Sequence, residues 1–208
     1  IRYILIAIFG SIVLAIPLVV ILFAFKIPEY FLWPSYMPGF VHVRIYGFSL
    51  TLSIAVGLGL LTLPSLQKTG VRALIFAGLV LLWTTLFWTS SRGGIYALIL
   101  VVPVLAFFMP DLRKALIPAI LSFLLAAVIS SQLAVPSQDF GFFRSFSGIF
   151  NSSSANEFST GRLQQWRIIL DFIAENPVFG HGYGQAYFIG PEAGFSTAHV
   201  HNIVLEAA

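Results

Sequence analysis

The sequence contains no cysteine and very little charge. Without cysteine the chain has no disulfide bond, no thiolate metal site and no cysteine nucleophile. Charged residues make up 9% of the 208 residues, whereas hydrophobic residues make up 58%. A soluble domain of this length carries far more charge. These proportions predict an integral membrane protein.

Several familiar site signatures are absent as well. No Gly-x-Ser-x-Gly sequence occurs, and no pair of acidic residues falls within an apolar run, so serine hydrolysis and proton relay lose support. The glycine turn at residues 180–184 has no strand before it and no Gly-Lys-Ser/Thr after it, so it is not a nucleotide-binding loop. The eleven lysines and arginines are scattered instead of clustered. A nucleic-acid partner is therefore not expected.

Long apolar runs fill the first 134 residues. Each run is long enough to cross a hydrocarbon layer as a helix. The chain begins at Ile1 without a methionine and ends at Ala208 within an apolar run, so we expect a fragment of a longer protein. The runs predict an all-α, polytopic membrane helix bundle with five transmembrane helices, over residues 3–25, 44–63, 73–90, 93–109 and 115–134.

The basic residues of the short loops indicate the orientation of the bundle. If the five helices alternate in direction, one side of the membrane receives the largest share of them, and the positive-inside rule assigns that side to the cytoplasm. We then expect the Ser91-Arg92-Gly93 turn and residues 135–202 on the extracytoplasmic side. The cytoplasmic residues are Arg2, Lys68, Arg72, Arg113 and Lys114.

Residues 135–198 form the long polar interruption of the chain. Its first part, residues 138–160, is rich in Phe, Ser, Gly and Asn, which predicts irregular structure. Ser159 or Thr160 then caps an amphipathic helix over about residues 161–175, which ends before Asn176-Pro177. Its apolar arc contains Leu163, Trp166, Ile169, Leu170 and Ile173. From residue 199 the chain starts a further transmembrane helix.

Arg162 lies on the apolar arc of the predicted amphipathic helix, not with its solvated charges. A guanidinium beside the free N–H groups of a helix N-terminus is suited to bind phosphate. The alternative is an arginine that stacks on Trp166 at the membrane interface.

Arg92 and His201 are the other candidates for chemistry. Arg92 lies in a turn of small residues that lets a ligand approach the backbone, and Arg44 has a similar position at the start of the second helix. Both also fit the role of interfacial anchors. His201 is a candidate general base with Asn202 beside it, or an ordinary interfacial histidine. His199 does not share a helix face with His201, so a metal site is not expected.

Taken in order, these features resemble the O-antigen ligase and polymerase superfamily of bacterial inner-membrane proteins. The resemblance begins at about Pro38 and rests on the Ser-Arg-Gly turn, Thr160-Gly161-Arg162, the glycine turn and His201-Asn202. It implies the C-type membrane glycosyltransferase fold, with an extracytoplasmic active face. It also implies essential roles for Arg92, Arg162 and His201.

The implied reaction passes a glycan from an undecaprenyl-diphosphate donor to an acceptor sugar, without metal, cofactor or nucleotide. As a hypothesis, Arg162, Arg92 and Arg44 hold the diphosphate while His201 takes the proton of the acceptor hydroxyl. Trp166 and Asn202 complete the predicted substrate site. An O-antigen ligase would transfer the glycan to lipid A core or another terminal acceptor, a glycan or a glycolipid, whereas a polymerase would extend lipid-linked repeat units. A transporter of a small anion is the third alternative.

Overall fold

The computed structural model describes residues 1–24, 42–134, 140–151 and 162–175. About 90% of these residues are helical, and none of them forms a strand. The protein is an all-α, polytopic membrane helix bundle. In the described ranges, four helices are long and apolar enough to cross a membrane, and the helix over Arg92–Phe108 is a shorter apolar one. The helices are α1 (Arg2–Ala24), α2 (Val43–Thr62), α3 (Thr69–Trp88), α4 (Arg92–Phe108), α5 (Leu116–Gln132), α6 (Phe142–Asn151) and α7 (Arg162–Glu175).

Short turns that begin with proline separate two pairs of helices. A 3₁₀ turn over Pro64–Leu66 connects α2 to α3, and another over Pro110–Ala115 connects α4 to α5. Proline has no amide N–H, so it suits the first position of a helical turn, where that group needs no partner. The membrane crossing of each helix, and the side that each loop faces, stay predictions.

The chain divides into two compact units, Ile1–Phe146 and Ser147–Ala208. In the first unit α3 is the central helix, and it contacts α1, α2, α4 and α5. Phe9 of α1 packs into a notch made by two glycines. A Cβ atom at Gly57 would lie 2.5 Å from the Phe9 ring, and one at Gly78 would lie 2.6 Å from it. Glycine is therefore required at both positions for α1 to pack this closely.

Helix α6 contradicts the prediction of irregular structure for residues 138–160, at least over Phe142–Asn151. Phe142 and Phe146 lie one helical turn apart and pack on Phe87 of α3, with ring centroids 5.3 and 6.0 Å from it. Ser145, between them, is fully buried. Tertiary contacts with α3 thus stabilise a helix that the polar composition of the segment concealed.

In the second unit the structure describes α7. Ile169 is the buried residue of this helix, while Leu163 and Leu170 are 42% and 53% exposed. These two leucines belong to the apolar arc that the sequence predicts, so the buried face is narrower than that arc. The predicted transmembrane helix that starts at residue 199 lies outside the described residues.

Candidate functional site

Helices α2 and α4 place their N-termini at the same end of the first unit. A Cβ atom at Gly47 of α2 would lie 2.9 Å from Cβ of Ser91 and even closer to its Oγ. One turn further along, a Cβ atom at Gly94 of α4 would overlap Oγ1 of Thr51 on α2. The two helices therefore run side by side in the same direction and are in close contact where α4 begins. The positive ends of both helix dipoles point towards the same surface.

Arg44 lies at the outer edge of this contact. It precedes Gly47 by three residues and Thr51 by seven, so all three share one face of α2. That face packs on the start of α4, and Arg44 extends beyond it as an exposed side chain. The structure thus brings Arg44 and Arg92, two of the predicted site residues, to the same end of the bundle.

Arg92 is the first residue of α4 and is only partly exposed to solvent. Within the described residues, its guanidinium makes no hydrogen bond or ion pair. The next two amides, of Gly93 and Gly94, have no hydrogen-bond acceptor in this part of the chain, and no side chain caps the helix. A guanidinium beside free N–H groups at a helix N-terminus is an arrangement that binds phosphate oxygens.

The turn before Arg92 has an unusual backbone. Ser90 adopts a left-handed backbone conformation with φ 52°, which residues other than glycine seldom adopt. The Arg92 amide donates to the Ser90 carbonyl at 2.8 Å, and the hydroxyls of Thr89 and Ser91 are 3.0 Å apart. This geometry turns the chain from α3 into α4 within three residues.

His42 caps α2 next to Arg44. Its Nδ1 atom accepts a hydrogen bond from the Arg44 amide at 3.0 Å. Partial burial, and then the neighbouring Arg44 charge, lower the pKa of His42 from its ordinary value of 6.5. The imidazole is therefore neutral at pH 7, with its remaining proton on Nε2. The α2 terminus is capped, whereas the α4 terminus is open.

Sequence reasoning missed the residues that hold the Arg92 turn in place. Residues 140–146 pack against the turn and the start of α4 and form hydrogen bonds with both. The Ser90 hydroxyl donates to the Gly141 carbonyl at 2.9 Å, and the Tyr96 hydroxyl donates to the Ser145 carbonyl at 2.8 Å. These partners are about fifty residues apart in sequence, so no local pattern indicates them. The phenylalanines at 142 and 146, spaced as on one face of a helix, were the available signal.

The other predicted residues belong to the second unit or lie outside the described residues. Arg162 is the first residue of α7, and Trp166 follows one turn later on the same face; both are partly exposed. His201 and Asn202 lie outside the described residues. Among the residues that the structure describes, no three His, Cys, Asp or Glu side chains come together as they do around a metal ion.

The comparison with known families gives a match over more than half of the chain. The model of the family described as O-antigen ligase matches residues 77–208. This range contains Arg92 and α7. No curated protein and no solved structure matches the chain.

Proposed function

Since this chain belongs to the O-antigen ligase family, we propose that it transfers a glycan from an undecaprenyl-diphosphate donor to a sugar of a glycolipid acceptor. The family supports glycan transfer of the ligase or polymerase type by a multi-pass membrane protein. Lipid A core is the acceptor type that a ligase would use.

The observation that carries this proposal is the environment of Arg92. A partly buried guanidinium without a partner in the described residues lies beside the open amides of Gly93 and Gly94. Arg44 lies at the same end of the bundle. Taking a charge out of water is costly unless an opposite charge compensates it. A diphosphate supplies that charge and accepts hydrogen bonds from the amides.

The proposed reaction is a displacement at the anomeric carbon of the donor sugar. The acceptor hydroxyl attacks this carbon, its proton passes to His201, and the bond from the carbon to the diphosphate oxygen breaks. The diphosphate leaves with both electrons of that bond, and the configuration at the carbon inverts. Arg92, Arg44 and Arg162 neutralise the charge that develops on the leaving group. Trp166 and Asn202 bind or orient the substrates.

We place this site on the extracytoplasmic face of a bacterial inner membrane. The support is the distribution of loop charges, with Lys68, Arg72 and Arg113 at the opposite end of α2, α3 and α4 from Arg92. A lipid-linked donor and a glycolipid acceptor would then reach the site within the same leaflet.

The charges of the first unit favour an enzyme over an anion transporter. Transporters place polar groups or broken helices near the middle of the bilayer. In α1 to α5, by contrast, every charged residue lies in the first turn of its helix: Arg2, Arg44, Arg72 and Arg92.

Glycan display in cells tests the proposal. Cells that lack their own copy of the gene receive the full-length protein, either unchanged or with Arg162→Ala or His201→Ala. Arg167→Ala is the matched control, because Arg167 is an exposed arginine of α7. Membrane levels of each variant are compared by immunoblot.

We expect both site variants to insert normally, to lose surface glycan and to accumulate the lipid-linked precursor, while Arg167→Ala behaves as the unchanged protein. Accumulated single repeat units instead of finished chains would identify a polymerase. Unchanged glycan in both variants would refute the proposed residue roles, and solute uptake would then be the function to assay.

A further inference from the structure

The segment from Phe140 to Phe146, called here the 140–146 segment, bonds to both sides of the Arg92 turn. Before the turn, the Gly141 amide donates to the Trp88 carbonyl at 3.0 Å, and the Ser145 hydroxyl lies 3.3 Å from the Phe87 carbonyl. Both carbonyls belong to the last turn of α3, where the helix supplies no further amides; the Phe87 carbonyl also accepts from the Ser90 amide at 3.0 Å. The segment therefore stabilises the end of α3.

Beyond the turn, the same segment bonds to α4. The Tyr96 hydroxyl donates to the Ser145 carbonyl at 2.8 Å, and the Tyr96 ring lies 6.4 Å from that of Phe146. Tyr96 follows Arg92 by four residues, so the two side chains share one face of α4. The contact that holds Tyr96 thus also fixes the rotation of α4 about its axis, and with it the direction of Arg92.

Within the turn, Ser90 depends on this segment for its conformation. Its left-handed backbone is unfavourable for serine, and its hydroxyl compensates by donating to the Gly141 carbonyl at 2.9 Å. Gly141 is itself in the left-handed region, with φ 93°, where only glycine is readily accommodated. The hydrogen bond between these two residues therefore stabilises the backbone conformation of both the turn and the segment.

We propose that Tyr96 is a positioning residue for Arg92: its hydrogen bond to the main-chain carbonyl of Ser145 orients Arg92 towards the diphosphate of the donor. The proposal rests on the function proposed above, because it assigns Arg92 a phosphate ligand. Neither Tyr96 nor Ser145 touches the substrate. Their hydrogen bond holds the first turn of α4 against the 140–146 segment, so that the guanidinium and the two glycine amides converge on one anion.

Tyr96→Phe tests this proposal with the loss of a single oxygen atom, and its ring still packs on Phe146. The full-length protein is reconstituted in lipid nanodiscs, and binding of undecaprenyl diphosphate is measured. Undecaprenol, which lacks the phosphates, is the control ligand. Tyr3→Phe is the control variant, because it removes the same atom from an exposed tyrosine of α1. Hydrogen exchange of residues 88–94 reports on the turn without any ligand.

We expect Tyr96→Phe to weaken undecaprenyl diphosphate binding by about three- to tenfold, the effect of one hydrogen bond, and to accelerate exchange in the turn. Undecaprenol binding and Tyr3→Phe are expected to show no change. Ser145→Ala keeps the main-chain carbonyl that accepts from Tyr96, so it is not expected to reproduce this loss. When Tyr96→Phe is added to Arg92→Lys, we expect the affinity for undecaprenyl diphosphate to fall by less than about a further twofold, because the effects of residues that act as a unit are not additive.

The positioning role would be overturned if the effects of Tyr96→Phe and Arg92→Lys on binding were additive, or if Tyr96→Phe weakened undecaprenol binding equally. Tyr96 would then be a structural residue. Unchanged binding and unchanged exchange in Tyr96→Phe would overturn it as well, even if Arg92→Lys binds weakly. If Arg92→Lys instead binds undecaprenyl diphosphate as the unchanged protein does, the proposed function of Arg92 fails first. These results separate the two proposals.

Discussion

Arg92 differs from Arg113 and Lys114 in what surrounds its charge. Lys114 forms an ion pair with Asp111 at 2.7 Å, and Arg113 donates to two main-chain carbonyls in the last turn of α4. In the described residues, the Arg92 guanidinium has no such compensation, although it is less exposed than either. A charge in this position is stabilised most by an anionic ligand. This difference separates Arg92 from Arg113 and Lys114.

His42 makes the start of α2 sensitive to pH. Its Nδ1 atom accepts from the Arg44 amide only while the ring is neutral, and burial and the Arg44 charge keep its pKa below 6.5. The stabilisation is therefore fully present above pH 6.5 and is lost as the pH falls through the lowered pKa of the folded state. We expect the melting temperature of the full-length protein to fall over this range.

His42→Asn provides the matched comparison, because asparagine caps helices well and does not titrate. We expect the variant to be as stable as the unchanged protein at pH 8 and more stable at pH 5, by up to about 1 kcal/mol, the value of one helix cap. Melting in detergent at both pH values measures this. A difference in melting temperature that stays constant with pH would contradict the capping role.

At the scale of helices, the contact between α2 and α4 determines where both arginines lie. A Cβ atom at Gly47 would overlap Ser91, and the nearest atoms include Cβ of that residue, which cannot rotate away. We expect Gly47→Ala to separate the two N-termini, to lower stability by about 1 to 3 kcal/mol and to weaken undecaprenyl diphosphate binding.

Gly59→Ala is the control for this prediction, because no atom lies within 4 Å of a Cβ at that position of the same helix. Alanine is also the better helix former. Melting temperature and binding of both variants are measured side by side. Equal behaviour of Gly47→Ala and Gly59→Ala would show that close packing at Ser91 is not needed.

The sequence predicts the membrane helices better than it predicts their contacts. Apolar runs are a property of single segments, which is why the ranges 44–63 and 93–109 differ by one residue at each end from α2 and α4. Helix α6 escaped prediction because Phe142 and Phe146 form a helical face only in contact with α3. The role of the 140–146 segment likewise depends on hydrogen bonds between residues far apart in sequence.

The sequence likewise predicts only part of the site, because the rest depends on contacts between residues that are far apart in the chain. Arg92 is a candidate because its turn contains small residues beside one charge, and Arg44 is a candidate because it lies at the start of a helix. That both lie at one end of the bundle follows from the parallel packing of α2 on α4, which Gly47 and Gly94 permit. Sequence alone does not indicate which helices pack together.

At the scale of the whole molecule, the proposal requires the Arg92 end to face away from the cytoplasm. The absence of cysteine from these 208 residues allows a direct test, since a cysteine introduced here is their only thiol and labelling elsewhere is measured on the unchanged protein. Lys68→Cys and Phe143→Cys replace exposed residues at the two ends of the first unit. A membrane-impermeant maleimide is applied to spheroplasts that express the full-length protein.

We expect Phe143→Cys to be labelled in intact spheroplasts and Lys68→Cys to be labelled only after the membrane is permeabilised. The unchanged full-length protein serves as the blank. The reverse pattern would place the Arg92 end in the cytoplasm and would contradict the proposed location of the site.

The most direct test of the central claim, that Arg92 binds the diphosphate leaving group, is the rate at which the purified full-length protein releases undecaprenyl diphosphate from a lipid-linked glycan donor. Arg92→Ala is compared with Arg72→Ala, a partly exposed arginine in the first turn of α3 at the other end of the bundle. We expect Arg72→Ala to release the lipid at the unchanged rate. Arg92→Ala is expected to be at least about a hundredfold slower, the usual effect of removing one stabilising group from a charged transition state. Equal rates for the two variants would contradict the claim.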